Sequence, residues 1–180
     1  MNKCIRIISF TCLLPACGLL SAQDTERPLP PMLDLVSVDP FTGHTSMQWT
    51  AGGSPDVAAY IIYLYLNSEG YAIDTLYQPF ATSYVNTASN ASYYAESYVI
   101  AAMDSSDNVS PLSNFLTTIY LEGTLDTCKY NIKLLWNNYP GVSPEVTEYR
   151  IASSSNGSAY ITEGMTGDND TTYTIEDFES

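Results

Sequence analysis

Apolar and polar residues alternate in short runs along most of this chain, and no stretch after the first 22 residues has a helical period. The run 59–66 is typical: Tyr60, Ile62 and Leu64 fall on one face of an extended strand, and the residues between them fall on the other. Clusters of turn-forming residues, such as 51–56 and 67–70, separate the runs. Seven such runs up to residue 121 predict an all-β fold, an antiparallel β-sandwich.

The pattern occurs twice. Matching aromatic residues recur at the spacing of a small domain: Trp49 with Trp136 at 87 residues, Tyr60 with Tyr149 at 89, and Tyr84 with Tyr173 at 89. After Tyr84 the first copy continues through two more apolar runs, at 97–103 and 114–119. The second copy has no counterpart of either run.

The sequence therefore predicts four segments. Residues 1–22 are an export signal, 23–31 a proline-rich lead, 32–121 a complete domain, and 122–180 a second domain that lacks its last two strands. Because the first missing strand would lie in the middle of its sheet, we expect an open edge beside 149–151 and poor folding of 122–180 alone. A fragment of a longer reading frame and a strand donated by another chain both explain this ending.

The export signal has the usual three parts. Lys3 and Arg6 provide the positive start, 7–20 the apolar stretch, and Ser21 and Ala22 the cleavage zone. The stretch 14–17 also resembles a bacterial lipobox, in which Cys17 would be lipidated, and this is the alternative to cleavage after residue 22. No later stretch is long and apolar enough to predict a membrane span.

Charge excludes some partners. Without residues 1–22 the chain keeps four basic and 20 acidic residues, a formal net charge of −16. Such a surface repels nucleic acid and anionic lipid, and calcium is the partner that it mildly favours. The alternative is that acidity only keeps an exported protein soluble.

Cys128, the one cysteine after the export signal, cannot form a disulfide framework, so we expect a small buried apolar residue or a partner outside this sequence.

Four segments carry a family resemblance. The Trp49 strand, the strand at 60–63, and the stretch 98–104 followed by 108–114 resemble a fibronectin type III domain. The resemblance implies an immunoglobulin-like sandwich in which Trp49 packs in the core and Tyr98 forms the tyrosine corner. The predicted core residues of the two copies are Trp49, Tyr60, Tyr98, Trp136 and Tyr149.

The passage from the first copy to the second is more specific. Residues 110–114, 119–121 and 125–128 resemble tandem fibronectin type III modules of large secreted bacterial proteins, of the gliding-motility-associated or type IX secretion kind. This resemblance implies secretion or display at the cell surface.

The residues that catalysis needs are scarce. His44 is the only histidine and follows a turn glycine, so neither a triad nor a zinc site can be built around it. The acidic turns 104–108 and 168–170 offer several oxygen donors without the spacing of an EF-hand loop. We therefore expect no enzyme activity, no cofactor and no resident metal.

The chain has fifteen tyrosines. Tyr63, Tyr65 and Tyr71, or the pair Tyr93 and Tyr94, are candidates for an exposed aromatic surface that stacks on sugar rings or on a partner protein. The alternative is that they are ordinary strand residues.

Two functions fit these observations. The first is a non-catalytic exported module that acts as a spacer or as an adhesion and interaction domain at the bacterial cell envelope. The second is an accessory N-terminal part of a larger secreted polysaccharide-degrading enzyme.

Overall fold

The computed structural model describes residues 24–155 and 157–176, and every regular element in these ranges is a β-strand. The strands are β1 (Met32–Val38), β2 (Thr45–Thr50), β3 (Val57–Leu66), β4 (Glu69–Leu76), β5 (Ser83–Asn86), β6 (Ser97–Asp104), β7 (Leu116–Thr117), β8 (Leu121–Asp126), β9 (Asn131–Trp136), β10 (Glu148–Ser153), β11 (Ile161–Gly167) and β12 (Thr172–Ile175). The predicted export signal, including Cys17, lies outside the described residues. In the described part of the chain no helix is long and apolar enough to cross a membrane.

Strands β1 to β7 form a complete sandwich, called module 1 below. One sheet has the order β1-β2-β5 and the other the order β4-β3-β6-β7, with all pairs antiparallel. Strand β1 packs against β6 and β7 of the opposite sheet. This is the strand order of a fibronectin type III domain, so the predicted fold class is confirmed.

The alternation along β3 explains the core of module 1. Tyr60 and Ile62 point inward and are 1% and 0% exposed, and the Tyr60 ring lies 5.3 Å from the ring of Trp49. The hairpin that follows turns at Asn67 and Ser68, which have φ angles of 52° and 67°. Two central residues in the left-handed region match the twist of the flanking strands, which explains why the chain reverses at this position.

The last strand of module 1 is shorter than the apolar run at 114–119, because β7 contains only two residues. Before it, Ser110 and Ser113 donate their backbone N–H groups to the carbonyls of Ala102 and Ile100 on β6, each at 2.8 Å. Their hydroxyls accept the N–H groups of the same two β6 residues, each at 2.9 Å. Pro111 lacks an N–H group, so serine side chains replace part of the regular ladder.

Strands β8 to β12 form the second copy, called module 2 below. Within the part of the chain that the structure describes, its sheets have the orders β8-β9-β12 and β10-β11, which repeat the β1-β2-β5 and β3-β4 pairings of module 1. The ring pair recurs, with Trp136 and Tyr149 centred 5.6 Å apart. Leu121, the last residue of the first domain by sequence, is the first residue of β8 and pairs with Trp136.

The core of module 2 is less covered than that of module 1. Trp136 and Ile151 are 9% and 8% exposed, and Tyr149 is only partly buried. Of the five predicted core residues, the other three (Trp49, Tyr60 and Tyr98) are fully enclosed in module 1.

Candidate functional site

The tyrosines singled out from the sequence do not share one surface. In the β3–β4 pair, Tyr63 and Tyr65 lie opposite Ala72 and Gly70, whereas Tyr71 lies opposite Leu64. Residues directly opposite each other in an antiparallel pair project to the same side, so Tyr71 shares the face of Leu64 and not that of Tyr63 and Tyr65.

On the outer face of β3, Tyr65 is partly buried because its ring stacks on Phe115 at a centroid distance of 5.7 Å and an interplanar angle of 20°. Tyr93 and Tyr94 lie in the connection between β5 and β6 and are 76% and 50% exposed. Each aromatic set is therefore small and separate from the others.

The sequence reasoning missed several other exposed aromatic residues, and two of these lie close together in the chain. Tyr77 and Phe80, in the connection from β4 to β5, are 75% and 93% exposed, and the N–H of Ala81 donates to the carbonyl of Gln78 at 3.1 Å to close a turn there. No periodic pattern marks residues in an irregular connection, so only their exposure in the folded chain reveals them.

Three carboxylates meet at one end of module 1. Oxygens of Asp24, Asp56 and Asp104 lie within 4.8 Å of one another. Asp24 and Asp56 are exposed, whereas Asp104 is 1% exposed. The sequence singled out 104–108 as an acidic turn but gave no sign that residues 24 and 56 would join it.

The hydrogen bonds of Asp104 explain this acidic turn without a metal ion. Its carboxylate accepts the side-chain amide of Asn108 and the backbone N–H groups of Asn108 and Ser106, each at 2.8 Å. Burial raises the pKa of Asp104, but these three donors outweigh burial and hold the pKa below its usual value. The mild preference of the acidic surface for calcium and the expectation of no resident metal both stay predictions. The other acidic turn, 168–170, is closed by Asp170, which accepts the hydroxyl of Thr166 and the N–H of Gly167.

Tyr98 lies at the position expected for the tyrosine corner, with a side-chain carboxylate as its partner. Its hydroxyl donates to Oε2 of Glu96 at 2.6 Å and accepts Nδ2 of Asn86 at 3.1 Å. Glu96 is 3% exposed and also accepts the hydroxyl of Ser89 and the N–H of Asn90. Burial, and after it the Glu96 carboxylate, raises the pKa of the Tyr98 hydroxyl.

Two residues considered for chemistry have ordinary surroundings. His44 is partly buried in the turn before β2, where its carbonyl accepts the N–H of Asp39 at 2.9 Å. Cys128 is exposed, so the expectation of a buried apolar cysteine was wrong. It lies in the turn between β8 and β9, where Oδ1 of Asp126 accepts its N–H group at 3.0 Å, and this turn holds it at the surface.

Tyr139, in the loop between β9 and β10, connects the two modules. Its hydroxyl donates to the carbonyl of Val36 and accepts the N–H of Val36, both at 2.7 Å. The ring is 9% exposed and packs in the core cluster of module 1 with Leu33 and Val36. A residue of module 2 thus satisfies both backbone groups of Val36 on β1.

Asparagines extend this junction. Asn114 accepts the N–H of Leu33 at 2.8 Å and donates to the carbonyls of Leu33 at 2.9 Å and Gly141 at 3.3 Å. Asn137 accepts the N–H of Tyr120 at 2.8 Å and donates to the carbonyl of Thr118 at 3.0 Å, which fixes the linker between the modules.

Gly141 allows the loop of module 2 to approach module 1 closely. Its φ is +83°, and a Cβ there would lie 3.1 Å from the carbonyl oxygen of Phe115. A side chain at this position would be strained by the backbone angle and would press on that carbonyl. The junction therefore depends on one aromatic anchor, two asparagines and a glycine.

The chain was compared with known proteins. Its sequence matches no protein-family model and no curated protein. Among solved structures it is similar to an Fn3-like protein from Clostridium thermocellum, with 18% identity over 53% of this chain and 95% of that chain and a TM-score of 0.44. It is also similar to a structure described as FN3tt mut, with 18% identity over 49% of this chain and 91% of that chain and a TM-score of 0.34. The fold assignment rests on this chain's own strand order.

Proposed function

We propose that this chain is a non-catalytic part of an exported protein and that its fibronectin type III modules serve as a rigid spacer at the bacterial cell envelope. The spacer presents interaction surfaces at a fixed distance and orientation. Secretion of the gliding-motility-associated or type IX kind is the context in which we place it, on the resemblance of residues 110–128 alone.

The observation that carries this proposal is the junction. Interfaces between domains of one chain are commonly loose, and relative motion is the default expectation. Here the Tyr139 ring packs in the core of module 1 and its hydroxyl bonds both backbone groups of Val36. A buried anchor that also satisfies buried backbone groups opposes bending at the linker.

The experiment is to measure whether the two modules tumble together. In the chain beginning at residue 24, residual dipolar couplings from module 1 and module 2 should fit one alignment tensor. Tyr139→Ala removes the ring and the hydroxyl, so it should give the modules different tensors while the couplings within module 1 keep their fit. Tyr160→Ala is the matched control, since Tyr160 is 54% exposed and no described hydrogen bond involves its hydroxyl. Two different tensors in the unmodified chain would refute the rigid spacer.

A second candidate is an accessory role beside a polysaccharide-degrading catalytic domain. It is favoured by the exposed rings of Tyr77 and Phe80, because flat aromatic rings in water are suited to stacking on sugar. Titration of the chain with soluble polysaccharides tests it. Saturable binding that Phe80→Ala weakens would support this accessory role. If the chain binds no glycan of the envelope or the medium, the accessory role is refuted and the spacer function remains.

The envelope location is tested separately. Fractionation of the producing cells, followed by detection of the chain, should find it outside the cytoplasm. Incorporation of radiolabelled fatty acid into the mature protein would identify Cys17 as a lipid anchor. A mature N-terminus near residue 23 would instead identify cleavage of the export signal after residue 22.

A further inference from the structure

Strand β1 lies at the edge of its sheet, where it pairs with β2 on one side only in the described part of the chain. Alternate residues of such a strand direct both backbone groups away from the partner strand. Leu33 and Val36 are residues of this kind on β1. They lie opposite Trp49 and Met47, two ladder steps apart, because the register shifts at a bulge between them.

Side chains from outside the sheet bind both backbone groups of each of these residues. Oδ1 of Asn114 accepts the N–H of Leu33 at 2.8 Å, and Nδ2 of Asn114 donates to the carbonyl of Leu33 at 2.9 Å. The Tyr139 hydroxyl accepts the N–H of Val36 and donates to its carbonyl, both at 2.7 Å. Asn114 and Tyr139, called the edge cap below, thus make the hydrogen bonds that a neighbouring strand would make.

The edge cap depends on the junction between the modules. Tyr139 belongs to the loop between β9 and β10 of module 2, and its ring is 9% exposed against the core of module 1. Nδ2 of Asn114 also donates to the carbonyl of Gly141 in the same loop, at 3.3 Å. If this loop leaves module 1, Val36 loses its cap and Asn114 loses one of its contacts. The accessibility of the β1 edge is therefore set by the position of module 2.

Without the edge cap, β1 has the features of a strand that pairs with another. Five of its seven residues are apolar, and none is proline, so the strand has high β propensity and little charge. Apart from its bulge, the protection built into the strand itself is Asp34. The carboxylate of Asp34 accepts the hydroxyl of Thr50 on β2 at 2.8 Å, so this charge lies toward β2 and away from the free edge.

The edge of β1 is complementary to itself. Val38 lies opposite Thr45, two ladder steps beyond Val36, so its backbone groups also face the free edge. Two copies of β1 related by a two-fold axis can run antiparallel with Val36 opposite Val36 and Leu33 opposite Val38. All the side chains that meet on this face are apolar, and the outward backbone groups face each other. This complementarity makes a second copy of the chain the partner that the edge fits.

We propose that β1 is a concealed pairing edge for β1 of a second copy, and that the edge cap keeps the chain unpaired while the junction is closed. Main-chain hydrogen bonds provide the affinity in this mode of association. Each copy has one β1, so pairing occupies both edges and ends at a dimer. The proposal does not rest on the spacer function, because the spacer is tested by the alignment tensors of the unmodified chain and the edge by the association of opened variants.

The test is sedimentation equilibrium of residues 24–180, in reducing buffer because Cys128 is exposed, and in salt that screens the negative charge of both copies. Two variants open the junction. Tyr139→Ala removes the cap at Val36. Gly141→Val removes no core atom, but its φ is +83° and its Cβ would lie 3.1 Å from the carbonyl oxygen of Phe115, so it displaces the loop. We expect both variants to dimerise at least tenfold more tightly than the unmodified chain. If Tyr139→Ala does not fold, Gly141→Val decides.

Matched controls separate edge pairing from other effects of these substitutions. Gly157→Val has a similar backbone angle, φ +73°, but nothing lies within 4 Å of its Cβ, and Tyr160→Ala removes a ring that is 54% exposed. Both controls should associate like the unmodified chain. Val38→Pro, added to Tyr139→Ala, removes an N–H group from the free edge, where proline is tolerated. It should return association to the level of the unmodified chain.

Amide exchange locates the interface. In the opened variants, exchange at Leu33 and Val36 should become slower as the protein concentration rises, because pairing replaces the edge cap. Three results would overturn the proposal: a folded opened variant that associates no more tightly than the unmodified chain, a dimer that Val38→Pro does not weaken, and growth into species larger than a dimer. The last two would place the contact on another surface of the chain.

Discussion

Replacing Tyr98 with phenylalanine tests the buried polar network that stabilises the start of β6 in module 1. The substitution removes one oxygen and leaves the apolar ring in place. That oxygen donates to Glu96 and accepts from Asn86, and Tyr98 and Glu96 are 0% and 3% exposed. Water therefore has little access to replace the lost hydroxyl.

The cost follows from these contacts. A hydrogen bond to a charged group contributes about 1.5–3 kcal/mol, and an unsatisfied buried donor costs about 1–3 kcal/mol. The Glu96 carboxylate keeps its bonds from Ser89 and Asn90, so the loss is partial. We expect Tyr98→Phe to lower the free energy of unfolding by about 2–3 kcal/mol. For a domain of this size that loss corresponds to a fall of about 10–20 °C in Tm.

The assay is urea denaturation followed by Trp49 fluorescence, with Tyr93→Phe as the control because Tyr93 is 76% exposed. A double-mutant cycle with Glu96→Gln should show a coupling energy of about 0.5–3 kcal/mol between the two side chains. If Tyr98→Phe and Tyr93→Phe agree within about 0.5 kcal/mol, the typical range of neutral surface substitutions, the network does not stabilise module 1 and the reasoning fails.

Three further predictions concern pH, packing and charge. Burial, with the nearby Asp74 carboxylate, raises the pKa of Tyr84 to about 12. The unfolded chain therefore loses this proton at lower pH than the folded chain, so the free energy of unfolding should fall as pH rises from about 10 toward 12. Urea titrations of the unmodified chain and of Tyr84→Phe at alkaline pH measure this fall. Gly52→Ala should destabilise module 1 by about 1–3 kcal/mol, since a Cβ there would lie 2.4 Å from a backbone carbonyl of the proline-rich lead. Gly123→Ala is the control, because a Cβ at position 123 meets only ordinary contacts. Urea midpoints that fall equally in the two variants would contradict this prediction. With a chelator present, Asp56→Asn should raise Tm slightly, because it removes like-charge repulsion among Asp24, Asp56 and Asp104. A rise in the Tm of the unmodified chain on adding calcium, absent in the variant, would identify a calcium site.

Much of the fold could be predicted because strand formation depends on neighbouring residues. Alternation along 59–66 and the turn cluster at 67–70 led to the strand and hairpin of β3 and β4. The paired Trp and Tyr spacing led to two copies of one aromatic contact, at 5.3 Å and 5.6 Å. The exposure of Cys128 was missed because its position depends on a turn closed by Asp126 and not on its apolar character.

The sequence by itself determined the β-sandwich and its repetition, since period, turn chemistry and spacing are local properties of the chain. Only the tertiary structure decided the contacts between distant residues. Tyr139 meets Val36 across 103 positions, and Asp24, in the proline-rich lead, meets Asp104 at the end of β6. The exposure of Leu121 is also a tertiary feature. Leu121 and Leu33 begin similar strand patterns, but β6 and β7 pack against β1 and cover Leu33, whereas Leu121 is 57% exposed.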